Sequence, residues 1–275
     1  MNFYAPFCLP FVVGALTMLV TLLVKYVTWI VRLPASDRRL LVRGIPSRQT
    51  PAALWEVVRE SLLHVRIFKV NPLLGYMHMS LAFGWFLLIA VGWIETVAYL
   101  GFRWVPLQGH VFFKYFSVGL PHKPVFDFLM DLLLLFVLSG VALAWGKRLF
   151  SRAMGMRRTT RHVLGDRVAL SALWFVFPAR LAAESVTCAL FGGGGFLTGS
   201  LGAWIAAHAD PLVLPTLFKA LWWFYSIVLG VFFVALPFSR YMHIFTEIPL
   251  IFLRRYKLRS TEKESSYDRF QIEAC

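Results

Sequence analysis

Five apolar segments, near residues 7–31, 72–100, 124–146, 168–190 and 212–238, are each long enough to cross a hydrocarbon core that takes about 20 residues of helix. A segment in lipid has no water to bond its backbone, so each is read as an α-helix. The fold class expected is therefore an all-α membrane protein with five transmembrane helices. Composition agrees, because 59% hydrophobic and 15% charged residues leave too little charge to cover a soluble domain of 275 residues. The first segment has no Lys or Arg before Lys25 and is too long for a signal peptide, so it is expected to remain as a spanning helix.

The net charge of +14 is distributed very unevenly. Residues 32–69, 147–167 and 240–275 hold 22 basic residues, against three (Arg103, Lys114 and Lys123) in the opposite loops. The positive-inside rule then places the N-terminus outside and the C-terminus in the cytoplasm. The expected location is a cell inner (cytoplasmic) membrane, crossed several times. Residues 1–259 form one five-helix domain and 260–275 a polar cytoplasmic tail. The charge reports topology first and docking to anionic lipid or an acidic partner second, with no nucleic acid expected.

Between the spans, residues 52–68 read as an amphipathic helix along the membrane surface, with Leu54, Val58, Leu62 and Val65 on one face. Glu56, Arg59, Glu60 and Arg66 fall largely off that face, and His64 reads as a surface residue. Arg157 to Arg161 is a basic, solvated turn, and Gly192 to Gly195 a flexible external loop. Cys8, Cys188 and Cys275 are far apart with no Cys-x-x-Cys pair, so the chain has no set of four thiolates for an iron–sulfur cluster of its own.

Two histidines share a depth under this topology. His78 is six residues, about 9 Å, into the second segment, and His243 follows Pro237 where the fifth leaves the membrane. A pair of imidazoles facing each other across a helical bundle can hold a haem iron from both sides. Gly75, Ala82 and Gly92 lie on the His78 face, where small side chains would let a flat macrocycle approach. Arg240, Lys69 and Arg66 lie at a depth suited to haem propionates. On spacing alone the alternative stays open, that each histidine is a hydrogen-bonded interfacial side chain with no metal.

Other ionisable residues fall within or near the spans. Arg180 and Glu184 are four apart on the fourth helix and can pair, while Glu95 lies near the outer end of the second. They read as a structural ion pair or as part of a quinone or proton path at the outer side. Asp127 and Asp131 open the third helix, where the macrodipole favours carboxylates. His110, His122 and His208 fall in outer loops or helix ends.

The run Pro237-Phe238-Ser239-Arg240-x-x-His243-Ile244, followed by Pro249 and by Arg254, Arg255, Tyr256, Lys257 and Leu258, resembles the end of the gamma (cytochrome b) subunit of respiratory nitrate reductase. It is also similar to the membrane subunits of heterodisulfide-reductase-type complexes. In that family the second and fifth helices each give two histidines, two haems b are bound, and electrons pass from a quinol to iron–sulfur subunits in the cytoplasm. The resemblance implies that His78 and His243 are the axial ligands of the haem nearer the cytoplasm. The other two ligand positions of the family fall on Leu88 and Tyr225. Eighteen residues, five turns and about 27 Å, separate Tyr225 from His243, so the distal haem lacks both ligands.

The expectation is a membrane cytochrome b subunit carrying one haem b, with His78 and His243 as metal ligands and Gly75, Ala82 and Arg240 around the cofactor. It would exchange electrons between menaquinone or a related quinone and a cytoplasmic iron–sulfur partner of the heterodisulfide reductase or ferredoxin type. The alternatives are a haem-free membrane anchor for a soluble redox enzyme and a small-solute transporter. The transporter rests on Arg180 and Glu184 alone, without an internal repeat.

Overall fold

A computed structural model describes residues 2–154 and 163–257 of the chain. The expected basic turn at 157–161 and the polar tail at 260–275 lie outside the described residues. In chain order the helices are α1 (Leu9–Arg32), α2 (Ala35–Gly44), α3 (Gln49–Val57), α4 (Val65–Val70), α5 (Pro72–Leu100) and α6 (Leu107–Val111). They continue with α7 (Phe113–Phe116), α8 (Pro124–Ala153), α9 (Leu164–Phe191), α10 (Thr198–His208), α11 (Leu214–Ala235) and α12 (His243–Arg255). No strand occurs among the described residues. α1, α5, α8, α9 and α11 are the five helices long and apolar enough to cross a membrane, so the chain is a multi-pass membrane protein.

α9 and α11 form the centre of the bundle, with α1 packed on α11, α5 on α8, and the short α10 on α9. α1 and α11 cross where glycine meets glycine: a Cβ on Gly14 would lie 2.7 Å from the Cα of Gly230. Only two residues without side chains let the backbones come this close. At the same crossing the Phe11 N–H, one of the unpaired donors of the first helical turn, donates to the Ser226 hydroxyl at 3.2 Å. The opposite face of α1 carries an exposed stripe of Leu9, Val13, Leu16, Val20, Leu23, Val27 and Ile30. That three-and-four spacing is the mark of a helix with one face to lipid.

The ends of the bundle depart from simple loops. Residues 52–68 do not form one amphipathic helix: α3 runs into a turn of π-helix over Val58–Leu62, and His64 sits in the left-handed region at φ 51° and ψ 40° before α4 begins. At the other end the 107–116 stretch folds back into the bundle. There Phe112 and Phe113 are buried, Phe112 against Phe7, Phe11, Trp222 and Tyr225.

Candidate functional site

Two concentrations of polar chemistry lie at opposite ends of the bundle. The first is built from the segment after α11. Pro237 closes a 3₁₀ turn after the span, the Ser239 hydroxyl accepts from the Tyr241 N–H, and α12 starts at His243. Three contacts from other helices fix this reversal. The Lys25 ammonium donates to the Pro237 carbonyl at 2.5 Å. The Asp166 carboxylate accepts from the Arg240 N–H at 2.7 Å and from its Nε at 3.2 Å. The Tyr26 hydroxyl donates to the Phe245 carbonyl at 2.6 Å. This last carbonyl would ordinarily bond the N–H four residues on, which is Pro249 and has none, so tyrosine supplies the missing donor.

His243 is exposed, and its Nδ1 lies 2.6 Å from the Arg240 carbonyl. A carbonyl only accepts, so Nδ1 carries the proton and Nε2 presents a free lone pair. The chain from Asp166 through the Arg240 peptide to His243 therefore sets both the tautomer and the direction of the ring. His78 is on α5, one turn after Gly75, and its imidazole stacks on that of His64 with centroids 5.4 Å apart and planes 19° from parallel. His64 has the same arrangement as His243, with Nδ1 3.1 Å from the Leu62 carbonyl. α12, which opens at His243, packs on α3 and on the π-helical turn before His64, so all three histidines lie at one end of the bundle. Burial pushes the His64 imidazolium below its ordinary value and the charge of His243 adds to this, while the Leu62 carbonyl, Glu247 and Glu60 pull the other way.

His78 and His243 thus come to one end as the sequence predicts, and His64 joins them although its sequence context suggests a surface residue. The other predicted neighbours have more local duties. Phe68 of α4 lies over Gly75, where a Cβ would come within 2.6 Å of the ring, so the missing side chain there admits α4. Ala82 is half-buried one turn beyond His78. Arg240 pairs with Asp166, and Arg66 with Glu60 at 3.5 Å. Leu88 and Tyr225 are buried, with Tyr225 against Phe112 and Trp222, so aromatic side chains fill that level of the bundle.

Beside the histidines lies an apolar groove of about 430 Å³ between the end of α1 and α12. Tyr26, Trp29, Phe245, Pro249, Phe252 and Tyr256 line it. Its closing side is held by Glu56, only 5% exposed, which takes both Arg254 and Arg255 and thereby ties α3 to α12. Burial works to raise the Glu56 carboxyl, and the guanidiniums of Arg255, Arg254 and Arg66 outweigh it, holding the group below its ordinary value.

At the opposite end, α5, α6, α7, α8 and α9 enclose a chamber of about 20 Å³ lined by Glu95, His110, Lys114, Asp127, Asp131, Arg180 and Glu184. Arg180 pairs with Glu184 at 2.8 Å and Lys114 with Asp127 at 2.8 Å. Asp131 is more than a helix-start carboxylate. It accepts from the N–H groups of Leu197 and Thr198 at 2.7 and 2.9 Å and from the Thr198 hydroxyl at 2.8 Å, capping α10 from another helix. Sequence spacing could pair Arg180 with Glu184, but bringing Glu95 and Lys114 to them takes the inward fold of the 107–116 stretch.

Comparison of the chain with protein-family models, with curated proteins and with solved structures finds no match.

Proposed function

We propose that this chain is a membrane cytochrome b subunit of a redox complex, with His78 and His243 as the axial ligands of one haem b. The observation that carries the reading is that histidines of α5 and α12 lie at one end of the bundle, with His243 held by its Nδ1 so that Nε2 is free. Hydrogen-bonded Nδ1 and open Nε2 is the usual state of a metal-ligating histidine. Among the described residues no three His, Cys, Asp or Glu side chains converge tightly enough for a bare metal ion, so a metal here would need further ligands, as a porphyrin provides. Two imidazoles are a donor type that haem iron takes. The resemblance of the segment from Pro237 onward to nitrate reductase gamma and heterodisulfide-reductase-type subunits points the same way.

A bound haem would supply one-electron chemistry, and the protein's part is placement and electrostatics. Asp166 holds the Arg240 peptide, which holds His243. His64 covers one face of His78 and limits its rotation. The aromatic packing around Tyr225 supports a single haem. Quinone then enters near that haem, with the groove between α1 and α12 suited to an isoprenoid tail because its walls are apolar and its size is that of a small-molecule site. Arg38, Arg39 and Arg43 on α2 are exposed at the same end and offer an acidic iron–sulfur partner of the heterodisulfide reductase or ferredoxin type a docking face in the cytoplasm.

The test is a reduced-minus-oxidised spectrum of the purified chain with haem quantified, repeated on His64→Ala, His78→Ala and His243→Ala. One haem per chain, lost in the His78 and His243 variants and kept in the His64 variant, is the expected result. Loss with His64 and retention with His78 would move one ligand to α4. A folded preparation that takes up no haem would overturn the reading in favour of a haem-free anchor.

A further inference from the structure

Glu95 lies within the span of α5, is only 8% exposed, and makes no hydrogen bond to any described residue. Every other carboxylate around the chamber has its partner: Glu184 has Arg180, Asp127 has Lys114, and Asp131 has three donors. Four carboxylates therefore share two strong cations, and the low-dielectric surroundings disfavour uncompensated charge. Among the four carboxylates that line the chamber, Glu95 is the one without a donor.

The chamber itself is suited to a water molecule, since about 20 Å³ exceeds the roughly 10–15 Å³ one requires and polar groups surround it. A second group lies at the same space: His110 on α6 lines the chamber, and its Nδ1 is buried without a hydrogen bond. Because the His110 residue is partly exposed, it touches both the chamber and the outer surface of the bundle.

We propose that Glu95 is a proton-binding site, exchanging its proton with bulk water through the chamber and His110. The acid O–H bond of Glu95 breaks, its proton passes to a water in the chamber and then to one nitrogen of the His110 ring, and the N–H bond of the other ring nitrogen breaks to release a proton at the end of the bundle opposite the three clustered histidines. The reverse order reloads the carboxylate, with no electron moved in either direction. The charged and titratable groups around Glu95 are Arg180 and Glu184 from α9, Asp127 and Asp131 from α8, Lys114 from α7 and His110 from α6. This site does not depend on haem binding.

Infrared difference spectroscopy of the full chain in lipid nanodiscs, stepped through pH and between H₂O and D₂O, tests it directly. A protonated-acid carbonyl band that shifts in D₂O is expected, lost in Glu95→Gln and kept in the exposed control Glu247→Gln. His110→Phe should keep the band and slow its deuterium shift roughly tenfold or more, the scale of a positioned proton carrier. If Glu95→Gln does not fold, Glu95→Asp must move the band, and an unmoved band overturns the assignment. So does a wild-type protein with no acid band at any pH where it stays helical, or a band indifferent to Glu95→Gln. A band that survives while His110→Phe exchanges at the wild-type rate removes His110 from the path.

Discussion

At the residue scale, the segment around His243 depends on donors borrowed from distant helices. Tyr26 serves a carbonyl that Pro249 cannot serve, so Tyr26→Phe removes the donor that takes the place of the missing N–H. A loss of about 0.5–1.5 kcal/mol is expected, the net worth of one part-buried hydrogen bond. Unfolding in detergent measures it, and the double variant with Pro249→Ala is the decisive comparison. Alanine restores the N–H four residues on, so Tyr26→Phe should cost markedly less in that background. A proline four residues after Phe245 can be read from sequence, but the hydroxyl that compensates comes from 219 residues away. His64 escaped sequence reading for a related reason. Its ring meets His78 only because a non-glycine residue takes left-handed backbone, which no residue pattern announces.

Among the elements, α12 is tied to α3 by charge. Glu56 on α3 bonds Arg254 and Arg255, and their charges keep its carboxyl ionised to lower pH than in the unfolded chain. The contribution is complete above the ordinary glutamate value of about 4.3 and disappears as pH falls through the lower folded value. Spin labels at Leu54 and Ile248 should report a constant α3 to α12 distance from neutral pH to about 5 and a widening only well below it. In Glu56→Gln the pH dependence should vanish. The long helices themselves were legible to within a few residues, α5 at both ends, because hydropathy alone dictates a span. α8 runs on to Ala153, past the expected end near 146, since Lys147 and Arg148 favour helix as well as water. The α3 to α4 break and the inward fold of α6 and α7 follow from tertiary packing, such as that of Phe112, and short apolar runs do not reveal it.

For the whole molecule, the charge imbalance predicts an orientation that labelling can read. With the native cysteines replaced by serine, Arg103→Cys should react with an impermeant maleimide in intact cells, and Arg43→Cys only after the membrane is opened. Both positions are exposed, so access depends on the side of the membrane alone. The reverse pattern would invert the topology and put the three histidines outside.

The glycine crossing of α1 and α11 has a consequence for biosynthesis. Of the five described spans α1 leaves the ribosome before the others and α11 after them, and the Phe11 to Ser226 bond joins residues 215 apart. During synthesis the first helix must wait in the bilayer, or in the insertion machinery, without its partner. Its Gly14 face has no glycine partner until α11 has been made. A nascent chain stalled before α11 would offer quality-control proteases an orphaned helix.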